Sequence, residues 1–236
     1  MRIKMTDDDK DFRRAGFYSV MLAALPWIVQ IVGTAFSLRL NQYGLQPLEM
    51  RGLIGVFTMP FLHADWGHLF SNTPALLVLI FGLFLFYKRG AWRILLYLYI
   101  ISGLFTWLMG RSSTHIGASG IVYALAAFHF FSGVIKKVPR QRAFALLVSF
   151  LYGGFIWAFF PALYMGTSIS WEGHLSGLLA GIILAFYLKN EGPEPPANPF
   201  LDEDENPNEK DAFWNIATED EPSRNVFARN EANSSF

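Results

Sequence analysis

"HLFSNTPALLVLIFGLFLFY", residues 68–87, holds twenty residues without an Asp, Glu, Lys or Arg. A helix of about that length crosses the roughly 30 Å of hydrocarbon in a bilayer. The stretch is read as a lipid-spanning helix, and the fold class follows from it. Five further segments, at about 17–38, 91–109, 118–135, 143–160 and 172–189, reach or approach the same length and apolar content. Hydrophobic residues form 53% of the chain and charged residues 16%, which suits a bilayer better than water as the solvent. The expected architecture is all-α, a polytopic membrane helical bundle with six transmembrane helices. Ser119, Gly120 and His129 interrupt the fourth segment, and Gly153 with Gly154 the fifth. Such interruptions are tolerated where neighbouring helices cover them, so they point to packed helices rather than isolated anchors.

Charge sets the expected orientation. With the N-terminus inside, thirteen Lys and Arg residues near the span ends fall on the inner side, and only Arg39, Arg51 and Arg111 on the outer. The positive-inside rule favours that arrangement, with both termini cytoplasmic. The polar N-terminus is followed by no small-residue cleavage site, so the first apolar run reads as a retained span rather than a signal peptide. Three regions result: a cytoplasmic segment 1–16, a membrane domain 17–189 and a tail 190–236. From 191 onward twelve acidic and three basic residues accompany prolines and asparagines, a composition that cannot fold alone. The first outer connection, 39–67, is semi-apolar and is expected to lie partly among lipid headgroups. Formal net charge is zero, which argues against a nucleic-acid partner. The absence of cysteine excludes disulfides, thiolate metal sites and a cysteine nucleophile.

In this topology spans two, four and six run from outside to inside. Their opening turns hold His68 and Asn72 ("HLFSN"), Ser119 ("GASG") and His174 ("WEGHLSG"), so these residues share a depth. Polar groups in spans are costly and usually face a bundle interior or a water-filled cavity. His68 and Asn72 are four apart and lie on one helix face. Gly117 and Gly120 leave the backbone around Ser119 open. His174, Gly177 and Gly181 form one stripe, suited to close packing of span six on span four. Serine becomes a nucleophile when a base takes its proton, and histidine is the usual base. The oxyanion then formed needs donors, which backbone N–H groups at the start of span four, Asn72 and His68 can supply. No aspartate shares the depth, so the expected set is a Ser-His dyad. Tyr123, one turn after Ser119, is positioned to stack on His174. Three other polar residues read as structural: His115 as interfacial, His129 as an interhelical hydrogen bond and Glu172 as a group at the water boundary.

"GASG" at a helix start, "HLFSN" two spans earlier and "GHLSGLLAG" in the last span resemble the rhomboid intramembrane serine proteases, over residues 50 to 189. The resemblance implies Ser119 as nucleophile, His174 as base, and an oxyanion site made of His68, Asn72 and the Ser119 amide. It further implies supporting roles for Gly117, Tyr123 and His63, the last in the first outer loop, while Gly177 of span six supports the packing against span four. Hydrolysis of a peptide bond in or near the transmembrane helix of another membrane protein is the implied reaction, without metal or cofactor. Substrate would enter by a lateral opening between spans two and five. Many relatives carry Trp-Arg in the first outer loop; "GLIGVFT" here has neither residue, so the Arg-based network of that loop is not carried over. A multi-pass protein of a bacterial inner membrane is expected. Two other readings remain: a catalytically inactive rhomboid-fold protein that binds transmembrane helices for quality control or trafficking, and a metal-dependent enzyme or transporter using His63, His68, His115 and His174. The second lacks an HExxH motif.

Overall fold

The computed structural model describes residues 6–152 and 170–194. The chain divides into two units, Met1–Pro195 and Pro196–Phe236; the second, which carries almost all of the acidic tail, lies outside the described residues. So do the Gly153, Gly154 pair and the second half of the expected fifth span.

The first helix, α1 (Asp7–Ala35), begins ten residues before the expected span. Its early start is local chemistry. Thr6 accepts from the Asp9 N–H and Asp9 reaches back to the Thr6 N–H, a capping box, and three successive aspartates complement the positive end of the helix. The helix also ends earlier than expected, at Ala35, where Ser37 adopts φ 52°. Lys88 pairs with Asp11 at 2.8 Å, joining the start of α1 to the turn after the next long helix.

That helix, α3 (Trp66–Tyr87), and α4 (Ala91–Met109) lie within two residues of the expected second and third spans. A tight turn at Lys88–Gly90 separates them. Further on come α5 (Ser119–Lys136), α6 (Pro139–Tyr152) and α7 (Trp171–Tyr187). Among the described residues, three helical stretches are long and apolar enough to cross a membrane: Asp7–Ala35, Trp66–Met109, which contains α3 and α4, and Ser119–Lys136. The protein is thus an all-α, polytopic membrane helical bundle.

Between α1 and α3 the semi-apolar connection folds into short helical turns, among them α2 (Gly55–Thr58). Leu45, Val56 and Met59 form a small core of their own beside Ile100 and Trp107. Trp107 ties this connection to α4 by donating its Nε1–H to the Glu49 carbonyl at 3.0 Å. Leu45 and His115 exchange backbone hydrogen bonds of 2.9 and 2.8 Å, and the Gly117 N–H donates to the Met59 carbonyl at 2.9 Å. The connection therefore braces the segment leading into α5.

The main core joins Leu79, Leu83 and Phe84 of α3, Ile94 and Leu98 of α4, Leu125 and Phe128 of α5 and Leu184 of α7. Lipid is as apolar as these side chains, so association rests on close contact rather than on escape from water. The closest contact lies between α5 and α7. A side chain on Gly177 would overlap the Gly120 carbonyl oxygen, and one on Gly181 would come within 2.8 Å of the Phe128 amide nitrogen. Among the buried polar groups, His129 donates its Nε2–H to the Leu79 carbonyl at 2.9 Å, linking α5 to α3 as the sequence suggests. His115 and Glu172 are corrections. Both are buried, at 2% and 3% exposure, His115 with its Nδ1 against Ser170 Oγ and Glu172 against Arg111 at 3.4 Å.

Candidate active site

Three helix starts meet at one cavity of about 420 Å³, whose walls include His68, Ser119, His174, Arg111, His115 and Ser170. Each start has its own local cause. Asp65 caps α3, accepting from the His68 N–H at 2.8 Å, which puts His68 in the first turn. Gly117 at φ +112° turns the chain into α5, so Ser119 becomes its first residue. Ser170 caps α7, accepting from the Gly173 N–H at 3.2 Å, and His174 follows within the first turn. The Tyr123 ring stacks on the His174 ring with centroids 4.3 Å apart and planes inclined by 4°, which holds the imidazole in one plane.

Not every candidate from the sequence reaches the cavity wall. Asn72 is buried behind His68, with its amide donating to the His68 carbonyl at 3.1 Å and lying 3.4 Å from His63 Nε2. His63 lies behind as well, its ring 5.0 Å from that of His68. Its Nε2 accepts from the Ala118 N–H at 3.4 Å, one residue before Ser119. Gly177 belongs to the packing seam, and Gly117 to the floor beneath His68. Conversely, Arg111, Ser170 and Asp65 line the cavity although sequence reasoning did not select them, and His115 lines it although it was read as interfacial or as part of a metal set. Asp65 and Ser170 carried a usable signal, a capping residue directly before an apolar run. Arg111 carried none.

The α5 start is electropositive by construction. Its first amides lack intrahelical acceptors and point toward the helix mouth, beside the Ser119 hydroxyl. That combination, a hydroxyl, an imidazole held against a tyrosine, and free N–H donors, suits addition to a carbonyl and stabilisation of the resulting oxyanion.

His63 makes the connection pH-sensitive. Burial, followed by the neighbouring His68, lowers its pKa from 6.5 to about 4. Its neutral form is thus favoured on folding, so its contribution is complete above pH 6.5 and declines as pH falls toward 4. At about 1.4 kcal/mol per unit, the loss is on the order of 3 kcal/mol. Denaturant midpoints in detergent across this range should fall less steeply for His63→Gln than for the unsubstituted protein. Equal slopes would assign the acid sensitivity to other groups.

Gly117 admits a second prediction. An added Cβ would lie 2.6 Å from His68 Cε1, and the positive φ is itself unfavourable for alanine. Gly117→Ala should lower stability by about 1–3 kcal/mol, read as a shift of the thermal midpoint in detergent.

Residues 51–191 match the rhomboid domain. The chain is 37% identical to an uncharacterized protein of Mycobacterium tuberculosis over 172 residues, which cover 70% of this chain and 71% of that protein. An uncharacterized Mycobacterium leprae protein is 32% identical over 172 residues, covering 70% and 68%. The rhomboid-like protein 11 of Arabidopsis thaliana, chloroplastic, is 29% identical over 158 residues, covering 56% and 51%. The apolar helices and the mycobacterial relatives support an integral bacterial membrane protein. With the domain match extending across the three helix starts that meet at the cavity, the chain belongs to the rhomboid family.

Proposed function

We propose that the protein is an intramembrane serine endopeptidase that hydrolyses peptide bonds in or near transmembrane segments of membrane protein substrates. The observation that carries this reading is the presence of Ser119, His174 and His68 on the walls of one cavity at the start of three helices. Ser119 Oγ attacks the scissile carbonyl while His174 takes its proton, then returns it to the leaving amine. The oxyanion is held by His68 and the first amides of α5. Asn72 supports His68 from behind, through its hydrogen bond to the His68 carbonyl. Tyr123 keeps the His174 ring in plane, so the base meets the hydroxyl without a carboxylate to orient it. In this reading the bundle has six spans, both termini are cytoplasmic, and substrate helices enter from the bilayer. The bilayer and membrane protein substrates are its partners.

Labelling by a fluorophosphonate, followed by mapping of the adduct, tests the proposal in detergent-solubilised protein. An adduct on Ser119 is expected. Folded protein that gives no adduct at Ser119 would instead favour a rhomboid-fold protein that binds transmembrane helices without cleaving them.

A further inference from the structure

His115 and Ser170 each stand four residues before a proposed member of the dyad, Ser119 and His174 respectively. Their side chains meet: His115 Nδ1 lies 2.6 Å from Ser170 Oγ. We propose that this contact is a positioning clamp that sets the separation of Ser119 and His174, a role that rests on the protease reading above.

Each side of the clamp is anchored in the part it must hold. The backbone of His115 pairs with Leu45 through both its N–H and its carbonyl, and the Gly117 N–H bonds to Met59. The entry to α5 is thereby fixed to the connection before α3. Ser170 is the N-cap of α7, accepting from the Gly173 N–H at 3.2 Å, while its carbonyl accepts from the His174 N–H at 3.3 Å. A shift of Ser170 therefore moves the backbone of His174. These two loop ends are 55 residues apart in sequence. The His115 ring is the side chain that bridges them beside the cavity.

The hydrogen bonds also dictate a proton arrangement. The Arg111 carbonyl can only accept, so the hydrogen in its contact with His115 sits on the ring, and Nδ1 faces the Ser170 hydroxyl. His115 Nε2 then carries the ring proton and donates to the Arg111 carbonyl at 3.0 Å. One imidazole thus joins the end of α4, the entry to α5 and the cap of α7. A second tie runs parallel to it, from Arg111 Nε to Glu172 Oε1 at 3.4 Å, with Glu172 buried. Neither His115 nor Ser170 is placed in contact with the reacting carbonyl, so both act through the geometry of the dyad.

The test compares fluorophosphonate kinetics of the full chain with those of His115→Ala, Ser170→Gly and the double variant. Glycine keeps most of the capping preference while removing the hydroxyl. Each single variant should lower the maximal labelling rate between roughly 10- and 100-fold, the scale expected of an ångström-sized misplacement. The probe concentration at half-maximal rate and the final labelled fraction should stay unchanged, whereas simple unfolding would reduce the fraction. The double variant should be no worse than about twofold beyond the singles, since both remove one contact. Ser170→Thr should recover most of the rate. Additive losses, or unaltered rates in both single variants, would overturn the clamp. If His115→Ala does not fold, Ser170→Gly against Ser170→Thr decides it. Hydrogen exchange at the Gly173 and His174 amides supplies a readout independent of chemistry and should accelerate in His115→Ala. If the unsubstituted protein takes no adduct on Ser119, the protease reading fails, and exchange that is unchanged in His115→Ala overturns the clamp as well.

Discussion

His174→Ala and Ser119→Ala should each reduce cleavage of a membrane protein substrate by about three orders of magnitude or more, with unfolding midpoints close to that of the parent chain. The size follows from the proposed division of labour. Without the base, the serine hydroxyl keeps its proton and is a weak nucleophile; without the hydroxyl, there is nothing to acylate. Residues that act as one unit lose their effect together, so the double variant should be about as inactive as either single one. Both side chains are only partly buried at the cavity wall, so truncation opens space already accessible to the cavity and leaves the core in place. Cleavage is best followed by mass spectrometry of the products in reconstituted vesicles, because the bilayer presents the substrate helix. Undiminished cleavage by either variant would remove the dyad as the mechanism and return Ser119 to a packing role.

Gly177→Leu should be the most damaging substitution away from the cavity. At this position even a Cβ would overlap the Gly120 carbonyl oxygen and lie 3.1 Å from the Ala124 amide nitrogen. Backbone cannot swing aside as a flexible side chain can. The two helices must separate, which forfeits dispersion contacts along the seam and shifts Ser119 relative to His174. A cost above about 3 kcal/mol is expected, beyond the usual range for overpacking, with labelling of Ser119 lost in parallel. Thermal unfolding in detergent measures the first effect and probe labelling the second. Gly16, by contrast, has open space around its missing side chain, so Gly16→Ala should leave both readouts within error. A Gly177→Leu protein of parental stability and reactivity would show that the seam does not hold the site together.

Much of the bundle can be read directly from the chain because membrane insertion is a local property. Twenty apolar residues in succession satisfy the bilayer whatever surrounds them, and the expected spans at 68–87 and 91–109 fall within two residues of α3 and α4. The same argument found the first span but not the early start of α1, which comes from a capping box among polar residues, where hydropathy carries no information. The polar residues His68, Ser119 and His174 stood out because an ionisable or hydroxyl group in an apolar run needs a reason.

What the sequence determined by itself was thus the all-α membrane class, the approximate helices and the residue types on which chemistry could rest. Tertiary structure alone decided which of those groups share a wall. Asn72 lies behind His68 with its amide engaged, whereas Arg111, His115 and Ser170 come to the cavity from loops that are far apart along the chain. Glu172 and His115 are buried although each sits next to a helix end. The physical reason is that burial and hydrogen-bond partnership of loop residues depend on how separate segments fold over one another. A span answers to the bilayer residue by residue, but the 2.6 Å contact between His115 and Ser170 exists only once the helices carrying both loops have packed.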